Sequence, residues 1–417
     1  MKGKIKLEYG EDHVELSIPA EYDIIQSVRQ IEEIDWENKI RESFNNPIDS
    51  PTLTQIVQEE KPEKVVILVN DITRPVPYDI VLKPMLEELI KSGINKNDIT
   101  LLIATGMHRP MTAEEVESTL GKEIVDEYKW LNHKCDENLV YYGELSEGVP
   151  LYVNSLVQEA DLLCAVGVVA PHYMAGYSGG RKSLLPGVCG RETIEAHHSL
   201  MRMPGSRTAN LEGNPFHQVT VEAARKAKLR FISNVVVNSK NEPVDLVVGD
   251  WLKAWEKGVS ICQQNSVVEV DKLADLVIVS AGGFPKDINM YQSQKALENA
   301  SYCVKDRGKI LLIAECREGL GEETFEEWLD EATSPEYLGE KIKEVFELGG
   351  HKAYAISRVA VNKELYLYSS LDDRTSEKVF MDPVRDINQF LKDNLKGNEL
   401  VYVMPHGANT VPIFLNN

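Results

Sequence analysis

The chain has 417 residues, more than one ordinary hydrophobic core takes up, so two domains are expected. Hydrophobic residues make up 43% and charged residues 27%, as in a globular protein that folds in water. A formal charge of −21 excludes a sequence-independent nucleic-acid surface, which needs clustered Lys and Arg, but leaves room for a local basic pocket. No run approaches the roughly 20 apolar residues of a membrane span. The opening MKGKIKLEYG puts charge where a signal peptide needs an apolar core. Cys135, Cys164, Cys189, Cys262, Cys303 and Cys316 form no CxxC pair, and Cys164 and Cys316 fall in or beside apolar runs. Free, buried thiols in a reducing cytoplasm are expected.

Taken in chain order, KIKLEYGEDHVELSIP predicts a hairpin turning at Gly10-Glu11-Asp12. Next come apolar runs at Lys64–Asn70, Ile99–Gly106, Asp161–Val169, Asp275–Gly283 and Lys309–Cys316. These are continuous rather than alternating, so both faces of each strand should be covered, as in a parallel sheet. Leu82, Met85, Leu86, Leu89 and Ile90 share one helical face between the first two runs, and Gly93 stops that helix. Strand, helix, strand in that order is a βαβ unit. A second unit runs from Asp275 through a helix near Met290–Val304 to the Lys309 strand. The boundary is therefore expected at about Trp251–Val270, giving an N-terminal α/β domain over 1–265 and a C-terminal one over 271–400. The strand-like end, LVYVMPHGANTVPIF, is expected to return to the first domain with residues 404–417. The fold class is thus α/β, two domains with mainly parallel sheets, and the active site is expected in the cleft between them.

Four polar clusters follow apolar runs, and in open parallel sheets ligands bind outside the carboxyl ends of the strands. Asp71-Ile72-Thr73-Arg74-Pro75-Val76-Pro77 has prolines to stiffen it and an arginine suited to a carboxylate or phosphate, or is simply a helix cap with a surface Arg. Gly106-Met107-His108-Arg109-Pro110 offers a histidine for acid/base work or a solvated side chain. PHYMAGYSGGRKS, from Pro171 to Ser183, is glycine-rich and ends on Arg181 and Lys182. Its amides suit an anion, but a P-loop requires glycine where Arg181 stands, so an NTPase is poorly supported. In Thr193-Ile194-Glu195-Ala196-His197-His198 the adjacent histidines point to different faces of a helix, so at most one joins a given site.

Together DITRPVP, GMHRP, PHYMAGYSGGRKSLLPG, the His197-His198 pair and Tyr291-Gln292-Ser293-Gln294-Lys295 resemble the signature blocks of the lactate racemase family, in the family's order and over most of the chain. The resemblance implies an isomerase, a 2-hydroxyacid racemase carrying a nickel-pincer nucleotide, with hydride transfer through a 2-keto acid. It implies a thioamide link from Lys182 to that cofactor and nickel ligation by one histidine of the pair, His198 on its spacing from Lys182. It further implies His108 and His172 as acid/base pair, and Asp71, Thr73 and Arg74 in the cofactor pocket of the first domain. Arg74, Tyr291, Gln292 and Lys295 are implied at the substrate. Proteins that make the cofactor are implied as partners; nucleic acid and membrane are not.

The residue types suit that chemistry. The α-hydrogen of a hydroxyacid is weakly acidic beside a carboxylate, so it leaves more readily as hydride, once a base takes the hydroxyl proton. The planar keto acid accepts hydride on either face, and two histidines serve the two directions. Alternatives are a racemase or epimerase of a larger hydroxyacid, malate-like or a sugar acid, an NAD-linked dehydrogenase, and a non-catalytic anion-binding protein. The dehydrogenase lacks its G-x-G-x-x-G turn, and the binding protein leaves His108, His172 and Lys295 without a task.

Overall fold

The computed structural model describes residues 3–26, 33–203, 205–238 and 241–414. The chain divides into two compact units. A mid-chain unit takes the described residues of 30–238 and 242–264, and a terminal unit takes those of 1–29, 239–241 and 265–417. Among the described residues no helix is long and apolar enough to cross a membrane.

The mid-chain unit is built on a six-stranded sheet in the order Pro243–Asp250, Phe231–Val237, Leu162–Val169, Val65–Asn70, Ile99–Ala104, Lys129–Asn132. All neighbours are parallel except the first pair. The expected continuous apolar runs are its central strands, and they are buried almost throughout. Val65, Ile67 and Val69 point to one face, where Ile56, Val81, Met85 and Leu89 cover them. The expected helix is Lys83–Lys91, with Pro84 in its first turn, and a separate short helix, Tyr78–Val81, precedes it. Proline has no N–H to give the preceding turn, so the two helices part there.

The terminal unit has its own six-stranded sheet, entirely parallel, in the order Asp382–Pro383, Glu364–Tyr368, Val304–Ile313, Ala274–Ser280, Val401–Met404, Tyr22–Ile24. The helix Met290–Ser301 connects two of its strands, as the second βαβ pattern requires.

The expected domain limits change at both ends of the chain. The expected hairpin forms from Gly3–Tyr9 and Asp12–Ile18, but Asp12 lies in the second strand opposite Tyr9 and only Gly10-Glu11 turn. It belongs to the terminal unit, where Leu7, Leu16 and Ile18 pack with Ile278, Leu311 and Ile313. The chain's end does not return to the first domain. Val401–Met404 lies between Ala274–Ser280 and Tyr22–Ile24, and Val411–Phe414 pairs with Val267–Val270. A parallel strand needs a neighbour of matching direction, and these neighbours supply it. The chain passes from the mid-chain unit to the terminal unit within the helix Lys253–Ser266.

Candidate active site

Parallel register brings the first two clusters together. Asn70 is opposite Ala104 in adjacent strands, so the loops that follow leave the sheet side by side. Tyr78 anchors the first by donating its hydroxyl to the Asn70 carbonyl (2.8 Å). In the second, Gly106 takes φ +56° and its amide donates to Gly187 O (2.9 Å), tying this loop to the segment after Lys182. The result is a dyad: Nδ1–H of His108 donates to Asp71 Oδ2 at 2.6 Å. The other oxygen of Asp71 accepts from the amide (3.1 Å) and hydroxyl (2.6 Å) of Thr73. Asp71 is buried while His108 is exposed. Burial works to raise the Asp71 carboxyl, but the bonds from His108 and Thr73 and the charges of His108 and Arg74 outweigh it and hold it below its ordinary value. With Nδ1–H directed at the carboxylate, Nε2 is the ring nitrogen of His108 left to exchange a proton with a substrate.

The strand Leu162–Val169 runs into a tight hairpin in which His172 pairs with Gly176 and Pro171 with Tyr177. Gly176 has φ +74°, and a Cβ there would stand 2.4 Å from Asn210 O, so no other residue fits. Beyond it the glycine-rich loop is not an open anion cradle. The amide of Ser178 donates to Ala170 O, that of Gly180 to Asn234 Oδ1, and that of Lys182 to Gly179 O. Arg181, which breaks the P-loop pattern, turns inward and is fully buried. Its guanidinium donates to Tyr177 O (2.9 Å) and Ala175 O (3.1 Å), meets His217 Nδ1 at 3.1 Å, and stacks 3.6 Å from the Trp255 ring centre. Arg181 therefore ties the loop to itself, and only Lys182 of the basic pair turns toward His172.

Lys182 Nζ lies 2.7 Å from His172 Nε2, while His172 Nδ1 accepts the amides of Met174 and Ala175, each at 3.2 Å. Burial, reinforced by the charges of Arg74 and Arg181, pushes the Lys182 amine well below the lysine range. Burial also pushes His172 far down, helped first by Lys182 and then by Arg74.

The two adjacent histidines on the helix Arg191–Ser199 separate cleanly. His197 is fully buried; its Nε2 donates to Phe216 O (2.9 Å) and its ring lies 3.7 Å from that of Phe216. His198 is half-buried, and its Nδ1 donates to Ile194 O (2.8 Å), which leaves Nε2 deprotonated in the neutral ring. Burial pushes His198 down to about 4, with Lys182 and His108 adding to the effect. His198 thus shares one electrostatic neighbourhood with His108 and Lys182, and is neutral at pH 7, the form that binds metal. Among the described residues no group of three or more His, Cys, Asp or Glu could hold a metal ion.

In the terminal unit, Asn289 caps the helix Met290–Ser301 by accepting the Gln292 amide (3.0 Å). Lys295 Nζ donates to Gln292 Oε1 (3.3 Å), so these two are neighbours on one helix face, as their spacing predicts. Tyr291 is held by Lys352, whose ammonium donates to the Tyr291 carbonyl (2.7 Å) and lies 4.2 Å from its ring centre.

Comparison with known proteins bears on the whole chain. Residues 9–209 match the model of the lactate racemase N-terminal domain, and residues 269–411 that of the lactate racemase C-terminal domain. A lactate racemase of Thermoanaerobacterium thermosaccharolyticum is 34% identical over 98% of both chains. The chain belongs to the lactate racemase family. It is accordingly an enzyme of the isomerase class, a racemase. A lactate racemase of Lactiplantibacillus plantarum is 37% identical over 73% of this chain and 72% of its own. The structure resembles that of the lactate racemase apoprotein of T. thermosaccharolyticum, with a TM-score of 0.90 at 32% identity, covering 98% of this chain and 100% of that one. A protein of Thermotoga maritima shares the fold alone, at a TM-score of 0.65 and 20% identity over 91% of this chain and 98% of its own.

Some participants were not read from the sequence. Asn234, buried beside Ser233 in the largely apolar strand FISNVVV, fixes the Gly180 amide, and an amide side chain inside such a run is the signal that points to it. Trp255 and His217 carry no comparable signal, because only the fold brings them to Arg181.

Proposed function

We propose that this racemase interconverts the enantiomers of a small 2-hydroxy acid, lactate being the substrate named in its relatives, and that it carries a nickel-pincer nucleotide on Lys182. The observation that carries the reading is the pairing of His108, oriented by Asp71, with a buried Lys182 whose amine meets His172 at 2.7 Å in the same electrostatic neighbourhood as His198. When bound, the nucleotide supplies the hydride acceptor and donor.

The residues fit such a group. Burial biases the Lys182 amine toward the free base, the form that makes an amide-type bond, and His198, with Nδ1–H given to Ile194 O, would turn Nε2 to the metal. Arg74 gives the pocket positive character toward an anionic group, with Asp71 and Thr73 fixing the loop that bears it. His108 Nε2 takes the hydroxyl proton of one enantiomer. His172 serves the other face, so the planar 2-keto acid leaves as either hand. Arg74, Tyr291, Gln292 and Lys295 are proposed to hold the substrate, Lys295 and Gln292 at its carboxylate. Proteins that make the nucleotide would be required partners. A cytoplasmic setting suits the six cysteines, all buried and none in a disulfide.

The test is incubation of nucleotide-loaded protein with each pure enantiomer of lactate and of larger 2-hydroxy acids, followed by chiral chromatography. Conversion of either lactate enantiomer to the racemate is the expected result. Conversion of a larger acid with lactate untouched would move the substrate assignment, and no conversion of any member would overturn the reading.

A further inference from the structure

The His172–Lys182 contact specifies where its proton sits. His172 Nδ1 faces two amide donors, Met174 N–H and Ala175 N–H, and a nitrogen that accepts cannot itself carry a proton. The neutral ring must then hold its proton on Nε2, the atom 2.7 Å from Lys182 Nζ. In that pair the ring donates, and the lysine accepts through its lone pair, which an ammonium does not have. Lys182 has His172 as its hydrogen-bond partner among the described residues.

We propose that this bond is a latch: in the unmodified chain it occupies the Nε2 proton of His172 with the Lys182 amine, and acylation of Lys182 opens it and releases the ring to the substrate. The chemistry of the amine requires this consequence. In acyl or thioacyl transfer the nitrogen forms a bond to the carbonyl or thiocarbonyl carbon. The leaving group departs with its bonding pair, and the amine gives up one proton. For a thiocarboxylic acid the balance is acid plus amine to thioamide plus water. The nitrogen's lone pair is then delocalised into the new bond and accepts no hydrogen bond. His172 loses its acceptor at the moment the chain gains its cofactor link.

Two further observations agree. The depressed basicity of Lys182, caused by burial and by Arg74 and Arg181, matches an amine that accepts rather than donates. The hairpin fixes the ring from its far side through the Met174 and Ala175 amides, so release changes the partner at Nε2 without moving the ring. The inference rests on the proposed function for what the released ring then does. The latch itself concerns only this chain and an acyl group.

The test uses unloaded full-length protein labelled with ¹⁵N-histidine, with His172→Ala identifying the His172 signals. Long-range ¹H–¹⁵N spectra at pH 7 should show a neutral His172 with the proton on Nε2. Acetyl-lysine installed at position 182 during translation should speed exchange of that proton with water by about tenfold or more, as expected when a protecting bond is lost. Lys182→Met, which removes the acceptor without an acyl group, should do the same and guards against misfolding of the acetylated chain. A proton on Nδ1, or equal exchange in the unmodified and both altered chains, would overturn the latch. Loaded protein that fails to racemise any hydroxy acid would count against the proposed function and leave these spectra unaffected.

Discussion

Asp71 and His108 are 37 residues apart in the chain, yet the carboxylate of one stands 2.6 Å from Nδ1 of the other. Adjacent parallel strands in register produce this approach, and it fixes which nitrogen of His108 can act as a base. Asp71→Asn keeps the shape but offers an amide that can donate to Nδ1 and favour the wrong tautomer. We expect kcat to fall by about 10²-fold, within the range for general-base loss, with KM little changed. Initial rates in both directions check this, and an unaltered kcat would remove Asp71 from the dyad.

The same pair has a stability signature. The folded-state value of Asp71 is depressed, so its contribution is full above the unfolded carboxylate range near 4 and is lost as pH falls through the folded value. Asp71→Asn should flatten this part of the acid limb. Urea midpoints taken below pH 4 in both proteins would reveal it as a shallower pH slope in the variant.

How much of this was legible in the sequence differs from one feature to the next. The central strands were readable because a continuous run such as VVILVN has only one stable setting, covered on both faces. The carboxyl-edge clusters were readable for the same reason, since each follows such a run directly. The hairpin Gly3–Ile18 was readable as a hairpin but not as part of the terminal unit, because its alternation states which face is buried and not against what. The end of the chain misled similarly: VYVM fits any parallel sheet, and its neighbours Ala274–Ser280 and Tyr22–Ile24 come from distant parts of the sequence. Spacing could favour His198 over His197 but gave no physical reason. A physical reason to prefer His198 as the proposed ligand is the Phe216 carbonyl, which engages His197 and is invisible until the helix Pro215–Lys226 packs.

His133 provides a second pH test away from the chemistry. It is fully buried, with Nε2 donating to Cys189 O (2.8 Å) and Nδ1 accepting from Asn154 (3.1 Å), and burial pushes it down to about 4. The unfolded chain protonates this ring near 6.5, so stability is full above that pH and is lost as pH falls toward 4. The loss amounts to about 3 kcal/mol at the lower limit. His133→Gln should be less stable at pH 7 but show less of this further loss. An identical pH slope in both proteins would contradict the buried neutral ring.

Arg181 should behave as a structural residue and not as an anion ligand. Arg181→Met retains bulk against Trp255 but strips the donors from the Tyr177 and Ala175 carbonyls. Leaving buried acceptors unpaired costs about 1–3 kcal/mol each, so the urea midpoint should drop clearly. Unchanged stability with weaker phosphate binding would reverse the assignment.

The adjacent histidines make opposite predictions. His198→Ala should lose most nickel from loaded protein and leave the melting temperature nearly unchanged, since its ring is half-buried. His197→Ala should retain the proposed ligand but open a cavity beside Phe216 and remove one of two side-chain donors to its carbonyl, Thr220 remaining, lowering stability by about 2–4 kcal/mol. Nickel content by elemental analysis and thermal melts of the two variants form a crossed comparison. The two single assignments fail together if His197→Ala loses the nickel and His198→Ala loses the stability.

The two histidines proposed as the acid/base pair are held differently, which makes their separate loss informative. His108 is exposed and oriented by a carboxylate, while His172 is fixed by two backbone amides and meets Lys182. If they serve opposite faces of the keto acid, either Ala variant should block racemisation in both directions, because each turnover passes through both half-reactions. Each variant should nonetheless exchange the α-hydrogen of one enantiomer, the one whose base survives. Loss of a general base lowers rates by about 10²–10⁴-fold, so the two enantiomers should differ greatly within each variant, and the preference should invert between variants. The measurement is loss of deuterium from the α-carbon of each enantiomer, followed by mass spectrometry in nucleotide-loaded His108→Ala and His172→Ala. Because His172→Ala also removes the partner of Lys182, the intact mass of that variant must first show the adduct. Equal residual exchange from both enantiomers in both adduct-bearing variants would show that neither histidine is specific to a face, and the proton would have to be carried by another group.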